Sequence, residues 1–241
     1  IVTSFDLKIH LFEKVTYVKK DGTRFNVTTS KSTYECLHVI VSTGFYDIPY
    51  LLTVKGEQLP KVKHYYDDPH YYAFLKVLVV GAANSAIDAA LETWRKGAEV
   101  TMVIRGSVIS DRVKYWVKPD IENRIKEGSI KAYFNSELLE IKENEVDIKT
   151  PDGIVTVQND WVLAMTGYQP DIKFLQDMGV EISSDNVCKP FFNEEDYESN
   201  VEGIYLSGVI CGGLNTHLLF IENSRVHAEK IISDIVRKKQ H

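Results

Sequence analysis

A buried-strand pattern that runs directly into a glycine turn and a helix constrains how this 241-residue chain can fold. Residues 77–80 read VLVV and Gly81 follows at once. Ile87 and Leu91 then repeat at helical spacing, and residues 100–104 form the next apolar run. A strand, glycine turn, helix and strand in this order make one half of a dinucleotide-binding fold. The sequence therefore predicts the α/β class with a parallel sheet.

The turn itself resembles the Gly-x-Gly-x-x-Gly/Ala pattern of pyrophosphate sites, with Gly81, Ala83 and Ala86 at the three positions. The first glycine allows a tight turn, and a small third residue lets helix and strand pack. Alanine at the middle position partly obstructs the approach of phosphates to the backbone. We expect Asn84 or Ser85 to cap the helix. The predicted phosphate-binding residues are Gly81, Ala82, Ala83, Asn84 and Ser85.

Arg105 stands at the end of the second strand, where NAD-binding proteins have an acidic residue. A guanidinium matches a doubly charged 2′-phosphate, and Arg112 and Lys114 lie nearby in the sequence. This pattern favours NADPH over NADH. A solvated arginine at a strand end is the alternative.

Two stretches share one order of elements: an Asp-Gly hairpin, a buried strand and a Thr-Gly turn. In the first, residues 36–41 predict a continuous strand that ends at Thr43 and Gly44; in the second, residues 161–165 end at Thr166 and Gly167. We interpret them as an internal repeat, the alternative being two unrelated β-meanders. Because the first copy has no glycine turn before it, we expect that turn to lie upstream of residue 1.

Composition narrows the function classes. With 28 basic and 34 acidic side chains the net charge is −6, which argues against a nucleic-acid surface. No apolar run approaches the ~18 residues of a membrane span. The three cysteines are widely spaced and form no CxxC pair, which is typical of a reducing, cytoplasmic compartment.

Three segments together resemble the thioredoxin-reductase-like flavoproteins, and within them the bacillithiol-disulfide reductases. They are VLVVGAANSAIDAALETWRKGAEVTMVIRG, LAMTGYQPD and GIYLSGVICGGLNTHLLFIENSRVHAEKI. The resemblance implies NADPH and FAD on two related domains, and it covers nearly the whole chain. The glycine loop that holds the FAD pyrophosphate in this family is expected upstream of residue 1. The resemblance places Gly81, Asn84, Ser85, Arg105 and Gly167 at NADPH, and Thr43, Gly44, Gly208 and Val209 at FAD. Thr166 is expected beside the nicotinamide nucleotide because it lies with Gly167 at the carboxyl end of a strand.

This sequence departs from the wider group in two ways. Val209 stands where relatives usually carry an aspartate for the flavin ribityl chain, and the CxxC dithiol of thioredoxin reductases is missing. The missing dithiol disfavours a thioredoxin reductase but agrees with the bacillithiol branch.

From these observations we expect a Rossmann-like NAD(P)-binding domain, residues 73–187, inserted into an incomplete FAD-binding domain, residues 1–72 and 188–241. The expected activity is hydride transfer from NADPH to FAD, then reduction of a low-molecular-weight disulfide. A flavin-dependent monooxygenase and a non-catalytic NADP-binding module are the alternatives. An exposed sheet edge predicts a homo-oligomer.

No side chain is convincing as a catalytic acid, base or nucleophile. Cys211 lies in the predicted flavin loop, but a packing role is the simpler interpretation. A metal site from His64, Asp67 and His70 is a weaker hypothesis, and we predict none.

Overall fold

The computed structural model describes residues 3–240, which form two compact units. One unit spans Pro49–Gly167, and the other combines Ile1–Ile48 with Tyr168–His241. Within the described residues, no helix combines the length and the apolar character that crossing a membrane requires.

Residues 3–240 contain fifteen strands and four α-helices, numbered in chain order, and two short 3-10 helices at Pro69–Tyr72 and Gly208–Gly212. The helices are α1 (Asn84–Arg95), α2 (Lys118–Lys126), α3 (Ile172–Asp177) and α4 (Ile221–Lys238). The strands are β1 (Val15–Asp21), β2 (Arg24–Thr29), β3 (Thr33–Cys36), β4 (Val39–Val41), β5 (Ile48–Pro49), β6 (Val62–Lys63), β7 (Lys76–Val80), β8 (Glu99–Val103), β9 (Lys131–Tyr133), β10 (Glu137–Ile141), β11 (Glu145–Thr150), β12 (Gly153–Gln158), β13 (Trp161–Ala164), β14 (Tyr168–Gln169) and β15 (Ile204–Leu206).

The unit from Pro49 to Gly167 is built on a five-stranded sheet in the order β6-β13-β7-β8-β9, and every neighbouring pair is parallel. Helix α1 connects β7 to β8, and α2 connects β8 to β9. Strands β10, β11 and β12 form a separate antiparallel sheet. This architecture confirms the predicted α/β class and its parallel sheet.

Alternate side chains of the central strand β7 enter two different hydrophobic cores. Val77 and Val79 pack in the cluster that contains Ile87 of α1, whereas Leu78 packs with Ile148 of β11. Because side chains along a strand point alternately to opposite faces, burial on both faces requires a continuous apolar run. The run VLVV at 77–80 meets this requirement.

The second unit contains an antiparallel sheet, β1-β2-β3, and a parallel pair, β4 and β15. Phe25 of β2, Leu206 of β15 and Leu175 of α3 share its core. The Asp-Gly hairpins predicted at β1–β2 and β11–β12 are confirmed.

The predicted continuous strand over residues 36–41 is wrong. Cys36 pairs with Phe25 in one sheet, whereas Val39 pairs with Ile204 in another. The chain therefore passes from one sheet to the next through Leu37 and His38.

The units also differ in their limits from the predicted boundaries at residues 73 and 187. At one end, β6 adds a fifth strand beside β13, so residues before 73 belong to the parallel sheet. At the other, Leu175, Met178 and Val180 belong to the core of the second unit. Which cofactor each unit binds stays a prediction.

A buried carboxylate ties α4 to β15 in the second unit. Asp234 accepts a hydrogen bond from the Tyr205 hydroxyl at 2.8 Å and pairs with Lys238 at 2.8 Å and with Arg237. Burial alone would raise the pKa of Asp234, but the bonds from Lys238, Arg237 and Tyr205 outweigh it and lower the pKa to about 2.

We predict that Asp234→Asn destabilises the protein by about 1–3 kcal/mol at neutral pH, because it removes the charged acceptor of three donors. Denaturant unfolding measures the loss, and Glu229→Gln, at an exposed position of the same helix, is the matched control.

The stability that Asp234 contributes decreases as the pH falls. Since the pKa of Asp234 falls from 3.8 to about 2 on folding, its contribution is complete above pH 4 and lost as the pH falls towards 2. The Asn variant should lose less stability over that interval than the native protein. An equal acid loss in both proteins would contradict this role.

Candidate functional site

The glycine turn after β7 is built so that only glycine fits at its first position. Gly81 adopts φ +131°, and a Cβ atom there would lie 2.5 Å from the carbonyl oxygen of Met165 and 3.1 Å from Cβ of Ala86. The Gly81 amide also donates to the carbonyl oxygen of Val103 at 3.1 Å. The turn is thereby held against both neighbouring strands of the sheet.

Helix α1 presents its first N–H groups at this turn without a side-chain cap. Its N-cap residue is Ala83, in an extended conformation, so the predicted cap by Asn84 or Ser85 is wrong. Free N–H groups and the positive end of the helix dipole favour an anion. This end of α1 therefore fits a pyrophosphate.

The side chain of Asn84 makes a different contact. Its Nδ2 donates to the carbonyl oxygen of Arg112 at 3.0 Å, and its Oδ1 accepts from the backbone N–H of Lys114 at 2.9 Å. The loop that follows β8 is thus attached to the first residue of α1. This long-range contact has no signal in the sequence pattern.

Two arginines follow β8: Arg105 comes directly after the strand, and Arg112 lies in the loop attached to Asn84. Arg105 and Arg112 are both exposed, and neither forms an ion pair with any residue between 3 and 240. Lys114, in contrast, pairs with Asp88 of α1 at 3.0 Å. Arg105 lines a surface cavity together with Asn135, Ser136, Glu137, Lys149, Thr150 and Pro151.

The Thr166-Gly167 turn follows the adjacent strand β13. The hydroxyl of Thr166 donates to the carbonyl oxygen of Tyr50, and the Tyr50 amide donates to the carbonyl oxygen of Gly167 at 3.0 Å. Gly167 adopts φ +98°. The turn therefore lies at the same sheet edge as Gly81, with its hydroxyl already engaged by the backbone.

The second unit has a comparable edge, where the parallel strands β4 and β15 end. Thr43 and Gly44 follow β4, and Gly208 and Val209 follow β15. Gly44 and Gly208 have positive φ values, and nothing lies within 4 Å of the position of a Cβ atom at either. The structure brings the four predicted flavin-contacting residues to one edge with open space beside it.

A buried histidine that sequence reasoning missed holds this second edge. Nδ1 of His227 accepts a hydrogen bond from the Gly208 amide at 3.1 Å, and its ring stacks on Tyr197 at 4.0 Å between centroids. Burial, together with the charge of Lys230, lowers the pKa of His227. The imidazole is therefore neutral when it accepts this bond. Its position on α4, between Val226 and Ala228, gave no pattern that would single it out.

One polar atom near this edge lacks a partner. Oδ1 of Asn215 is buried and has no hydrogen-bond partner within the described part of the chain. Asn215 follows the glycine-rich loop, and its amide donates to the carbonyl oxygen of Gly212 at 3.1 Å. A buried acceptor of this kind fits a ligand that carries an N–H or O–H donor, so the edge fits a flavin nucleotide.

The remaining candidates have other partners. Cys211 is buried 3.9 Å from Nδ1 of His227, and burial raises the pKa of its thiol to about 12. Nε2 of His64 lies 3.4 Å from Oε1 of Glu57, and Nδ1 of His70 lies 2.7 Å from Oδ1 of Asp68. These two histidines and Asp67 do not form a metal-compatible cluster among residues 3–240.

The acidic cluster that has the required spacing is Asp196, Glu198 and Asp234. Lys238 already binds two of its members, Glu198 at 2.6 Å and Asp234 at 2.8 Å. The ammonium group of Lys238 therefore already occupies the position between these two carboxylates.

Comparison with known proteins identifies the family. Residues 1–208 match the family model described as pyridine nucleotide-disulphide oxidoreductase. The chain belongs to this family. The bacilliredoxin reductase Bdr of Bacillus subtilis (strain 168) is 42% identical over 224 residues, which are 92% of this chain and 69% of that protein.

Solved structures agree with this result. The bacillithiol disulfide reductase Bdr (YpdA) from Staphylococcus aureus superposes with a TM-score of 0.92 at 38% identity, covering 99% of this chain and 74% of that one. The thioredoxin reductase of T. acidophilum, at 20% identity and a TM-score of 0.72 over 93% of this chain and 74% of its own, shares the fold.

The resemblance to thioredoxin-reductase-like flavoproteins and the two-dinucleotide-binding fold are therefore confirmed. The chain is a pyridine nucleotide-disulphide oxidoreductase, and its family uses flavin and nicotinamide cofactors. The individual cofactor-binding residues stay predictions.

The requirement for glycine at residue 81 can be measured. Gly81→Ala should lose about 1–3 kcal/mol more stability than Gly128→Ala, because a Cβ atom at residue 81 would collide with the backbone of Met165. Gly128 is the matched control, since it also has a positive φ, +82°, but nothing lies within 4 Å of its Cβ position. Thermal unfolding of both variants decides the matter, and equal losses would show that the contact with Met165 is unimportant.

Proposed function

We propose that this chain is an NADPH-dependent flavoprotein that reduces a low-molecular-weight disulfide, bacillithiol disulfide in particular. One observation carries the nucleotide assignment: the N-terminus of α1 behind Gly81 is uncapped, and two unpaired arginines follow the next strand. Arg105 comes directly after that strand, and Arg112 lies in the loop that Asn84 holds. A pyrophosphate matches the helix terminus, and a 2′-phosphate matches the guanidinium groups.

In this proposal, backbone N–H groups at the start of α1 bind the pyrophosphate of NADPH. Gly81 allows the close approach, and Arg105 and Arg112 neutralise the 2′-phosphate. Thr166 and Gly167, at the end of β13, lie beside the nicotinamide half. The residues of the phosphate-binding turn are Gly81, Ala82, Ala83, Asn84 and Ser85.

Thr43, Gly44, Gly208 and Val209 are the proposed FAD contacts of the second unit. Bound FAD supplies a two-electron carrier between NADPH and the disulfide. The overall reaction balances as NADPH, a proton and one disulfide giving NADP⁺ and two thiols. Val209 has no polar side-chain atom, so its contact with FAD is limited to the backbone and to apolar packing.

The substrate assignment rests on two relatives, which are named as reductases of bacilliredoxin and of bacillithiol disulfide. The chain's own cysteines agree with a small disulfide that receives electrons directly. All three are free, and Cys211 remains a thiol at neutral pH. Free cysteines and a thiol-producing reaction are consistent with a cytoplasmic enzyme; the homo-oligomer stays a prediction.

We predict that Arg105→Ala and Arg112→Ala each weaken NADPH binding about tenfold, roughly 1.4 kcal/mol, while NADH binding changes less than about threefold. Calorimetric titration measures both, and Lys126→Ala is the control at an exposed cation of the same unit. If the native protein bound NADH as tightly as NADPH, the assignment of the 2′-phosphate site would be wrong.

Turnover is tested by following NADPH absorbance with added FAD and bacillithiol disulfide. We expect NADPH consumption that depends on the disulfide and releases two thiols per NADPH. Cystine is the comparison substrate. Consumption without disulfide, with hydrogen peroxide as product, would favour an oxygen-reducing flavoprotein. Binding without any turnover would favour an NADP-binding module.

A further inference from the structure

Both polar ends of the Asn84 side chain are used by one segment of chain. Nδ2 donates to the carbonyl oxygen of Arg112 at 3.0 Å, and Oδ1 accepts from the amide of Lys114 at 2.9 Å. These two groups flank Val113, whose side chain is buried in the core beneath α1. The Asn84 side chain therefore bonds to the backbone of this segment, as the main chain of a neighbouring β-strand would.

The same segment has further anchors. The amide of Ser110 donates to the carbonyl oxygen of Ala82 at 3.2 Å, and Nζ of Lys114 pairs with Asp88 at 3.0 Å. Ile109 is buried in the same core. The loop from residue 109 to 114 is thus fixed to the glycine turn and to the first turns of α1.

Arg112 is the exception within this fixed loop. Its backbone carbonyl is held by Asn84, while its guanidinium is exposed and has no ion-pair partner among residues 3–240. A cation whose backbone is immobilised and whose charge is unpaired loses less conformational freedom when it binds a phosphate. The contact with Asn84 therefore prepares Arg112 for a ligand.

We propose that Asn84 is a positioning residue that sets the preference for a 2′-phosphate over a 2′-hydroxyl by holding the backbone of Arg112. This inference rests on the proposed NADPH site and refines it. The Asn84 side chain acts through the loop, and only its backbone N–H belongs to the phosphate-binding turn.

The test uses two ligands that differ only in the 2′-phosphate: adenosine 2′,5′-bisphosphate and adenosine 5′-monophosphate. Asn84→Ala should weaken binding of the bisphosphate about three- to tenfold and change binding of the monophosphate less than about twofold. Asn123→Ala, at an exposed position of α2, is the matched control and should leave both affinities unchanged. Isothermal titration measures all of them.

A double-mutant cycle separates positioning from a general structural effect. If Asn84 acts through Arg112, Asn84→Ala should have no further effect on bisphosphate binding in an Arg112→Ala background. An undiminished effect in that background would overturn the inference, as would equal weakening of both ligands by Asn84→Ala.

Two further outcomes are informative. If Asn84→Ala fails to fold, Asn84→Ser replaces it, because serine is well tolerated at a helix start but cannot span both backbone groups. A native protein with no preference for the bisphosphate overturns the NADPH site and this inference together. A native preference that neither Asn84 variant reduces overturns the positioning role alone.

Discussion

The approach of the Gly81 backbone to the carbonyl oxygen of Met165 is the constraint on which the unit from Pro49 to Gly167 depends. It brings the turn after β7 into contact with the end of β13, and so sets where α1 begins. Because α1 begins there, its free N–H groups and its first side chain lie at the carboxyl edge of the parallel sheet. The loop that carries Arg112 then has a fixed support.

Both units place positive-φ glycines where parallel strands end, but they secure these turns by different means. In one, the turn is fixed by strand contacts on either side of Gly81, and Asn84 adds a loop. In the other, the buried imidazole of His227 accepts the Gly208 amide. The common geometry is a positive-φ glycine after each strand, whereas the surroundings differ: a Cβ atom at Gly81 would meet Met165, and open space surrounds the same position at Gly44 and Gly208.

The sequence predicted those features that depend on neighbouring residues. A local requirement for burial explains three of these features: the alternating apolar residues of the hairpin strands, the apolar run at 77–80, and the spacing of Ile87 and Leu91. The boundary between the units was less accessible, because the two-residue strand β6 joins its sheet through pairing with β13, about 100 residues away. The interruption of residues 36–41 has the same origin, since it follows from pairing with two separate sheets.

The site shows the same division. Glycine and arginine positions followed from a pattern, whereas the actual contacts of Asn84 and the role of His227 depend on loops folded back from 19 to 30 residues away. Asparagine is a favoured helix cap, but the side-chain amide of Asn84 instead forms hydrogen bonds with two backbone groups of the 109–114 loop.

The side chain of Asn84 contacts only main-chain atoms of the 109–114 loop. Asn84 bonds to the carbonyl oxygen of residue 112 and to the amide of residue 114, so the identity of the side chain at 112 does not enter the contact. Substitutions at residue 112 can therefore change the charge at this point of the surface while the main-chain contacts of the loop persist. Under the proposed NADPH site, coenzyme preference at this position is separable from folding in evolution, because a change of side chain at residue 112 leaves both contacts of Asn84 in place.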